Sequence, residues 1–222
     1  QLSDLDLAAM GQTLRYSMID DIRNERQDAL NRALGGVNLT SAALEMLEKH
    51  VFARAERTID KRFAEQPALR GRLLHTLSDT MKEVGLEDSA LAIGERALEV
   101  RREELGADPP DTVATLSLVG KIQHARGDYE SATATFDELL ERAERVFGPE
   151  HARTWGAKQD RGAVLLQLGR LAEAEAVLRP TVEGLVRTAG ESAETTTSAM
   201  QTLGVALARQ GKHEEANAQY AR

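Results

Sequence analysis

The sequence predicts an all-α fold, a solenoid of antiparallel helix pairs preceded by an N-terminal helix. Three sets of marks predict it. Gly85, Gly127, Gly169 and Gly211 stand 42 residues apart, and Gly106, Gly148 and Gly190 keep the same interval. Ala90, Ala132, Ala174 and Ala216 repeat it once more. A fixed period between 20 and 50 residues is the signature of stacked units, each burying its apolar face on its neighbours. The clearest unit is residues 111–148, which reads as two helices folded back about Gly127.

Composition narrows the function classes. The chain has 222 residues, 41% of them hydrophobic and only 4% aromatic, a balance that favours helices. Its net charge is −8, and Lys and Arg are interleaved with Asp and Glu, so no face is built to neutralise a phosphate backbone; nucleic acid is not an expected partner. The absence of cysteine excludes disulfides and thiolate metal sites and fits a reducing compartment. No apolar run approaches the roughly 18 residues needed to cross a bilayer, so no membrane insertion is expected of this sequence. The chain starts at Gln1 without an initiator Met and reads as a piece of a longer protein. A cytoplasmic location is expected, or a periplasmic one if a membrane span precedes the chain.

In order, residues 1–36 form an amphipathic segment with Leu7, Met10, Leu14, Met18, Ile22, Ala29 and Ala33 on one stripe, capped at Ser3 and closed by Gly35-Gly36. The stripe packs on the repeats behind it or serves as a seam for a second copy, giving a homodimer. Residues 37–67 hold an atypical half-repeat: a helix over about 42–65, capped by Asn38, Thr40 or Ser41, with Leu44, Leu47, Val51, Ala55, Ile59 and Phe63 inward.

Four helical hairpins follow at 68–110, 111–151, 152–193 and 194–222, the last cut short. First helices are expected near 68–84, 111–126, 152–168 and 194–210, and second helices near 87–104, 129–146, 171–188 and from 213 onward. Pro67 and Pro149 are placed where helices begin, and Asp111 is read as a cap after the stiff Pro109-Pro110 connection. Pro180 falls inside a second helix, where it removes a hydrogen bond and predicts a kink.

These units resemble the tetratricopeptide repeat, which pairs a large-x2-Leu-Gly-x2-large pattern in its first helix with Ala-x3-aromatic in its second. The second unit has Leu116, Val119 and Gly120, then Ala132 and Phe136; the fourth has Met200, Leu203, Gly204 and Leu207, then Ala216 and Tyr220. The family's usual unit is 34 residues, and the longer unit here is similar to the repeats of kinesin light chain and of bacterial signalling proteins. The resemblance implies a right-handed superhelix whose first helices line a concave groove. Two departures suggest looser packing: Gly94 replaces the aromatic of the first unit, and Lys158 and Arg161 take core positions in the third. Residues 55–106 are also similar to the segment that begins long-form repeats in bacterial serine/threonine protein kinases.

No metal, phosphate-loop, nucleophile-elbow or paired-carboxylate motif is present, so no catalytic, cofactor or metal residue is assigned. His50, His75, His124, His151 and His213 are scattered singly. The resemblance makes the concave face the candidate site. Residues one period apart form columns on it: His75, Ser117, Gln159 and Gln201; Asp79, Lys121, Ala163 and Val205; Lys82, His124, Leu166 and Ala208. Arg72 stands at the mouth, and an Asp79–Lys121 salt bridge is expected between neighbouring units. Such a lining suits an extended peptide or a partner's helix. The expected function is a non-catalytic protein–protein interaction scaffold; the alternative is a regulatory region of a larger bacterial signalling enzyme such as a serine/threonine kinase.

Overall fold

The computed structural model describes residues 39–190 and 192–221. The expected N-terminal helix of residues 1–36, and with it the homodimer seam, lies outside the described residues.

The chain enters through α1 (Leu39–Met46), a π-helical turn (Leu47–Phe52) and α2 (Ala53–Arg62). Four hairpins follow: α3 (Pro67–Glu83) with α4 (Glu87–Leu105), α5 (Pro110–Arg126) with α6 (Tyr129–Phe147), α7 (Ala152–Gln167) with α8 (Leu171–Ala189), and α9 (Glu194–Arg209) with α10 (His213–Tyr220). Each of the eight helices begins within a residue of the position that the 42-residue period predicts. Among the described residues there is no strand.

Glycine sets the bends. All seven glycines of the two periodic sets have φ between +72° and +91°. Gly127 shows the reason: at φ 80°, ψ 11° it closes α5 in the left-handed region, and its amide donates to the Gln123 and His124 carbonyls. A side chain there would strain the backbone just where the chain must reverse.

Each helix packs on its successor, and first helices also touch the first helices of adjacent units: α3 meets α5, α5 meets α7, and α7 meets α9. Second helices make no comparable contact with one another. The stack therefore curves, with first helices inside the bend.

Three buried clusters run along the array, and each draws on the next unit. Leu118 and Ile122 of α5 belong to the cluster built on Leu74, Ile93 and Ala97. Ala157 and Val164 of α7 close the one built on Leu116, Phe136 and Leu139. Trp155, Leu178, Leu203 and Leu207 form the third. No unit completes its own core, which is why the array is cooperative along one dimension.

Close approach within each hairpin rests on small residues. A Cβ on Gly120 would lie 2.8 Å from the Phe136 ring, and one on Gly204 would lie 2.5 Å from the Tyr220 ring. The first unit solves the problem differently, and corrects the expectation that it packs loosely. Ser78 and Gly94 occupy the positions of Gly120 and Phe136; the Ser78 hydroxyl fills the space beside Gly94 and donates to the Ala90 carbonyl at 2.7 Å. With two small residues facing each other, α3 and α4 share the most extensive close backbone contact of the described helix pairs.

The third unit accommodates its cations by pairing them with the preceding second helix. The Lys158 ammonium sits 4.5 Å over the Trp155 ring and 3.1 Å from Glu144, while Arg161 is held by Asp137. The aliphatic stems lie in the core margin and the charges meet acids at its edge.

Four local expectations are corrected. Val51 is exposed and Phe52 is buried in its place, because the π-helical turn inserts an extra residue and rotates the apolar stripe by one position. Of the three cap candidates, Thr40 and Ser41 lie inside the first turn of α1, and Asn38 lies outside the described residues. Pro149 precedes α7 in the loop, and His151 is the N-cap, its Nδ1 accepting from the Arg153 amide. Asp111 lies in the first turn of α5 behind Pro110 at N1, where its charge favours the helix dipole without a capping bond. Pro180 lies inside α8, which continues from Leu171 to Ala189. Both Pro180 and Ala176, whose carbonyl loses its helical donor, are exposed, so water can take that acceptor.

Candidate functional site

The two sides of the array use charge differently. Second helices are tied to their successors by ion pairs 36 residues apart in sequence: Arg102 to Glu138 at 2.6 Å and Arg179 to Glu215 at 2.7 Å. Asp108 holds Arg142 at 2.8 Å, and Glu175 accepts from Arg179, Lys212 and Gln210. That triple hold lowers the Glu175 carboxyl to about 2. The charges of this side are largely engaged with one another.

The concave side is laid out by the first helices. At its head Arg72 is exposed, and His75 is half-buried one turn on, its Nδ1 without a hydrogen-bond partner. Burial, with Arg101 nearby, lowers the His75 pKa against the opposing pull of Asp79 and Asp111, so the ring is neutral at physiological pH. Arg101 itself is only 4% exposed. Its stem covers Gly71 and its guanidinium donates to the Asp111 carbonyl and the Thr115 hydroxyl, joining α4 to α5.

Further along, Asp79 is held by Lys82 at 3.2 Å, and Lys82 also reaches Glu83 at 2.8 Å. The expected Asp79–Lys121 bridge gives way to a different pair: Lys121 reaches Asp160 of the following unit at 3.5 Å. The reason is reach, since the Asp79 carboxylate is satisfied one turn along its own helix. The His124 ring packs against Tyr129 at 5.7 Å. Gln159 donates to Ser198 of the fourth unit at 2.7 Å, while Gln201 is exposed. Leu166, expected on the open face, is 6% exposed and belongs to the core.

One pocket of about 240 Å³ opens on this face between α5 and α7. Ser117 and Lys121, four residues apart on α5, form one wall; Gly156 and Asp160, four apart on α7, form the other. Val113, Leu139, Ala143 and Ala157 make an apolar floor. Arg153 lies at the edge, its guanidinium 4.9 Å over the Phe147 ring. Burial raises the Asp160 carboxyl above its ordinary value, against the pull of Lys121 and, more weakly, His124.

The structure thus brings Ser117 and Lys121 into one pocket and strings the other sequence-predicted residues along the same face. Sequence reasoning missed Gly156, Asp160 and Arg153. A signal existed for Gly156: it is a helical glycine with Ala114 and Ser198, not glycine, one period away.

The tetratricopeptide repeat model matches residues 69–145 and 150–222, more than half the chain. The chain belongs to the tetratricopeptide repeat family. Among solved structures, BtubC (BKLC) from P. vanneervenii superposes with a TM-score of 0.69 at 17% identity, covering 95% of this chain and 87% of that one. A Podosopora anserina protein described as a kinesin light chain with nearly identical TPR-like repeats gives 0.62 at 15% identity, covering 82% and 90%. MamA gives 0.54 at 18% identity, covering 80% and 89%. No curated protein matches the chain. At these identities the likeness concerns the fold: this tetratricopeptide repeat chain is a right-handed superhelical solenoid with kinesin-light-chain-like repeats. Among the described residues of this repeat array, no group of three or more His, Cys, Asp or Glu is placed to hold a metal ion. No described helix is long and apolar enough to cross a membrane.

Proposed function

We propose that the chain is a non-catalytic interaction module that holds an extended peptide or a partner's helix along its concave face. The observation that carries the reading is the contrast between the two sides. Short ion pairs join successive second helices, Arg102 to Glu138 and Arg179 to Glu215, whereas the first helices α5 and α7, bridged by the longer Lys121–Asp160 pair, leave an open pocket with an apolar floor and polar walls. A pocket of that size takes one side chain of a longer segment, and the exposed or half-buried groups along the face supply further hydrogen bonds. In this reading Arg72, His75, Asp79 and Lys82 contact one end of the segment. Ser117, Lys121 and His124 contact its middle, and Gln159 and Gln201 the other end.

The test is a peptide-display selection on the purified chain, followed by fluorescence anisotropy with the selected peptides. Substituting Ala at His75, Lys121 and Gln159 together is expected to weaken binding about tenfold or more, the loss of several hydrogen bonds to ligand. Undiminished affinity in that triple variant places the site elsewhere and removes the proposal.

A further inference from the structure

Gly156 has no packing reason to be glycine. At every other described helical glycine, a neighbouring side chain lies closer than 3.0 Å to where a Cβ would stand; at Gly156 no atom of the described residues lies within 4 Å. Its φ is not in the left-handed region, so the backbone does not require glycine either. A mid-helix glycine costs stability relative to alanine, and here no neighbouring atom uses the space it leaves. The space is the mouth of the slot between α5 and α7, widened on the opposite wall by Ala114.

What the slot offers is a carboxylate. Asp160, one turn beyond Gly156 on the same face, is half-buried and, among the described residues, pairs with Lys121 alone at 3.5 Å, longer than a charge-assisted hydrogen bond. A carboxylate accepts about four hydrogen bonds, so most of its capacity is unspent. The other cation lining the slot, Arg153, stacks on Phe147 at its edge. The Lys121 side chain is 50% exposed and can swing off Asp160 at little cost. The apolar floor suits a methylene stem, and the chain's net charge of −8 draws basic segments toward it.

We propose that this slot is a specificity subsite for an arginine side chain of the bound segment, its stem lying over Gly156 and its guanidinium paired with Asp160, with Lys121 swung off Asp160 onto a backbone carbonyl of the same segment. The planar guanidinium matches the slot between two helices and offers two parallel donors to one carboxylate. The inference rests on the concave face being the binding surface. The burial that raises the Asp160 carboxyl is relieved in its effect when a cation arrives.

The experiment is an amide NMR titration of the purified chain with n-butylguanidinium, and separately with n-butyrate, which has a similar stem and the opposite charge. The expected result is saturable shifts at Gly156, Ala157, Asp160 and Ser117 with n-butylguanidinium alone. Asp160→Asn is expected to weaken that binding about tenfold, the loss of one charge-assisted pair. Gly156→Leu, which fills the slot without touching a charge, is expected to abolish it while signals of α3 and α4 stay in place. No saturable shift at those amides, equal response to n-butyrate, or undiminished binding by both variants overturns the proposal. If selected peptides still need His75, Lys121 and Gln159, only the arginine subsite falls; if they do not, the groove reading falls with it.

Discussion

A Cβ added to Gly162 would stand 2.5 Å from Leu178 Cγ, so the third hairpin closes only because one of the two helices carries glycine there. The atom in the way is a branch point near the backbone, not the far end of a flexible chain, so relief requires the helices to move apart. Gly162→Ala is therefore expected to destabilise the chain by about 1–3 kcal/mol, the usual cost of overpacking. Urea unfolding followed by circular dichroism reads this as a lowered midpoint, and an unchanged midpoint would show that α7 and α8 separate freely.

Gly156, six residues earlier on the same helix, should respond with the opposite sign. A methyl there meets no atom of the described residues within 4 Å, and alanine restores helix propensity. Gly156→Ala is expected to stabilise by about 0.5–1 kcal/mol. The same unfolding assay checks it, and a loss of stability would mean that the slot is occupied in the folded chain.

The first hairpin predicts a coupling. The Ser78 hydroxyl lies 2.8 Å from where a Gly94 Cβ would be, and it donates to the Ala90 carbonyl. Gly94→Ala alone should cost about 1–3 kcal/mol, and Ser78→Gly alone about 1 kcal/mol, roughly one buried hydrogen bond. Combined, the removed hydroxyl makes room for the added methyl, so the double variant should lose less than the sum. A double-mutant cycle that is additive would separate the two residues in space.

Much of the architecture could be read from the periodic glycines, because a left-handed bend tolerates few other residues and so leaves a fixed mark. The repeat pattern named Gly120 with Phe136 and Gly204 with Tyr220, but not that each ring fills the space its glycine leaves, which depends on how the two helices cross. The Ser78–Gly94 pair was misjudged because the substitution pattern shows what is lost, an aromatic ring, and hides what replaces it, a closer approach of two backbones. The π-helical turn was invisible, since one inserted residue shifts the stripe from Val51 to Phe52 without altering composition. At the site, the period named the columns but not the partners. Lys121 pairs with Asp160, which lies in none of the columns, because side-chain reach across two helices depends on curvature.

Glu175 gives the chain a defined acid response. Held by Arg179, Lys212 and Gln210, its carboxyl titrates at about 2 in the folded chain, against 4.5 for an unperturbed glutamate. A depressed folded pKa means that the stabilisation is fully present above 4.5 and is lost as pH falls toward about 2. Glu175→Gln should thus be less stable than the parent chain at neutral pH, with the gap narrowing through that window. Urea midpoints of both proteins across the pH series check it; a gap that stays constant would mean that the glutamate's charge contributes nothing.

The most direct measurement of the central claim is where a selected peptide lies on the array. Amide NMR perturbations on binding are predicted to concentrate on the first helices α3, α5, α7 and α9, with the largest at Ser117, Lys121, Gly156, Gln159 and Asp160. Perturbations centred instead on the second helices, around Glu138, Arg142 and Arg179, would contradict the account.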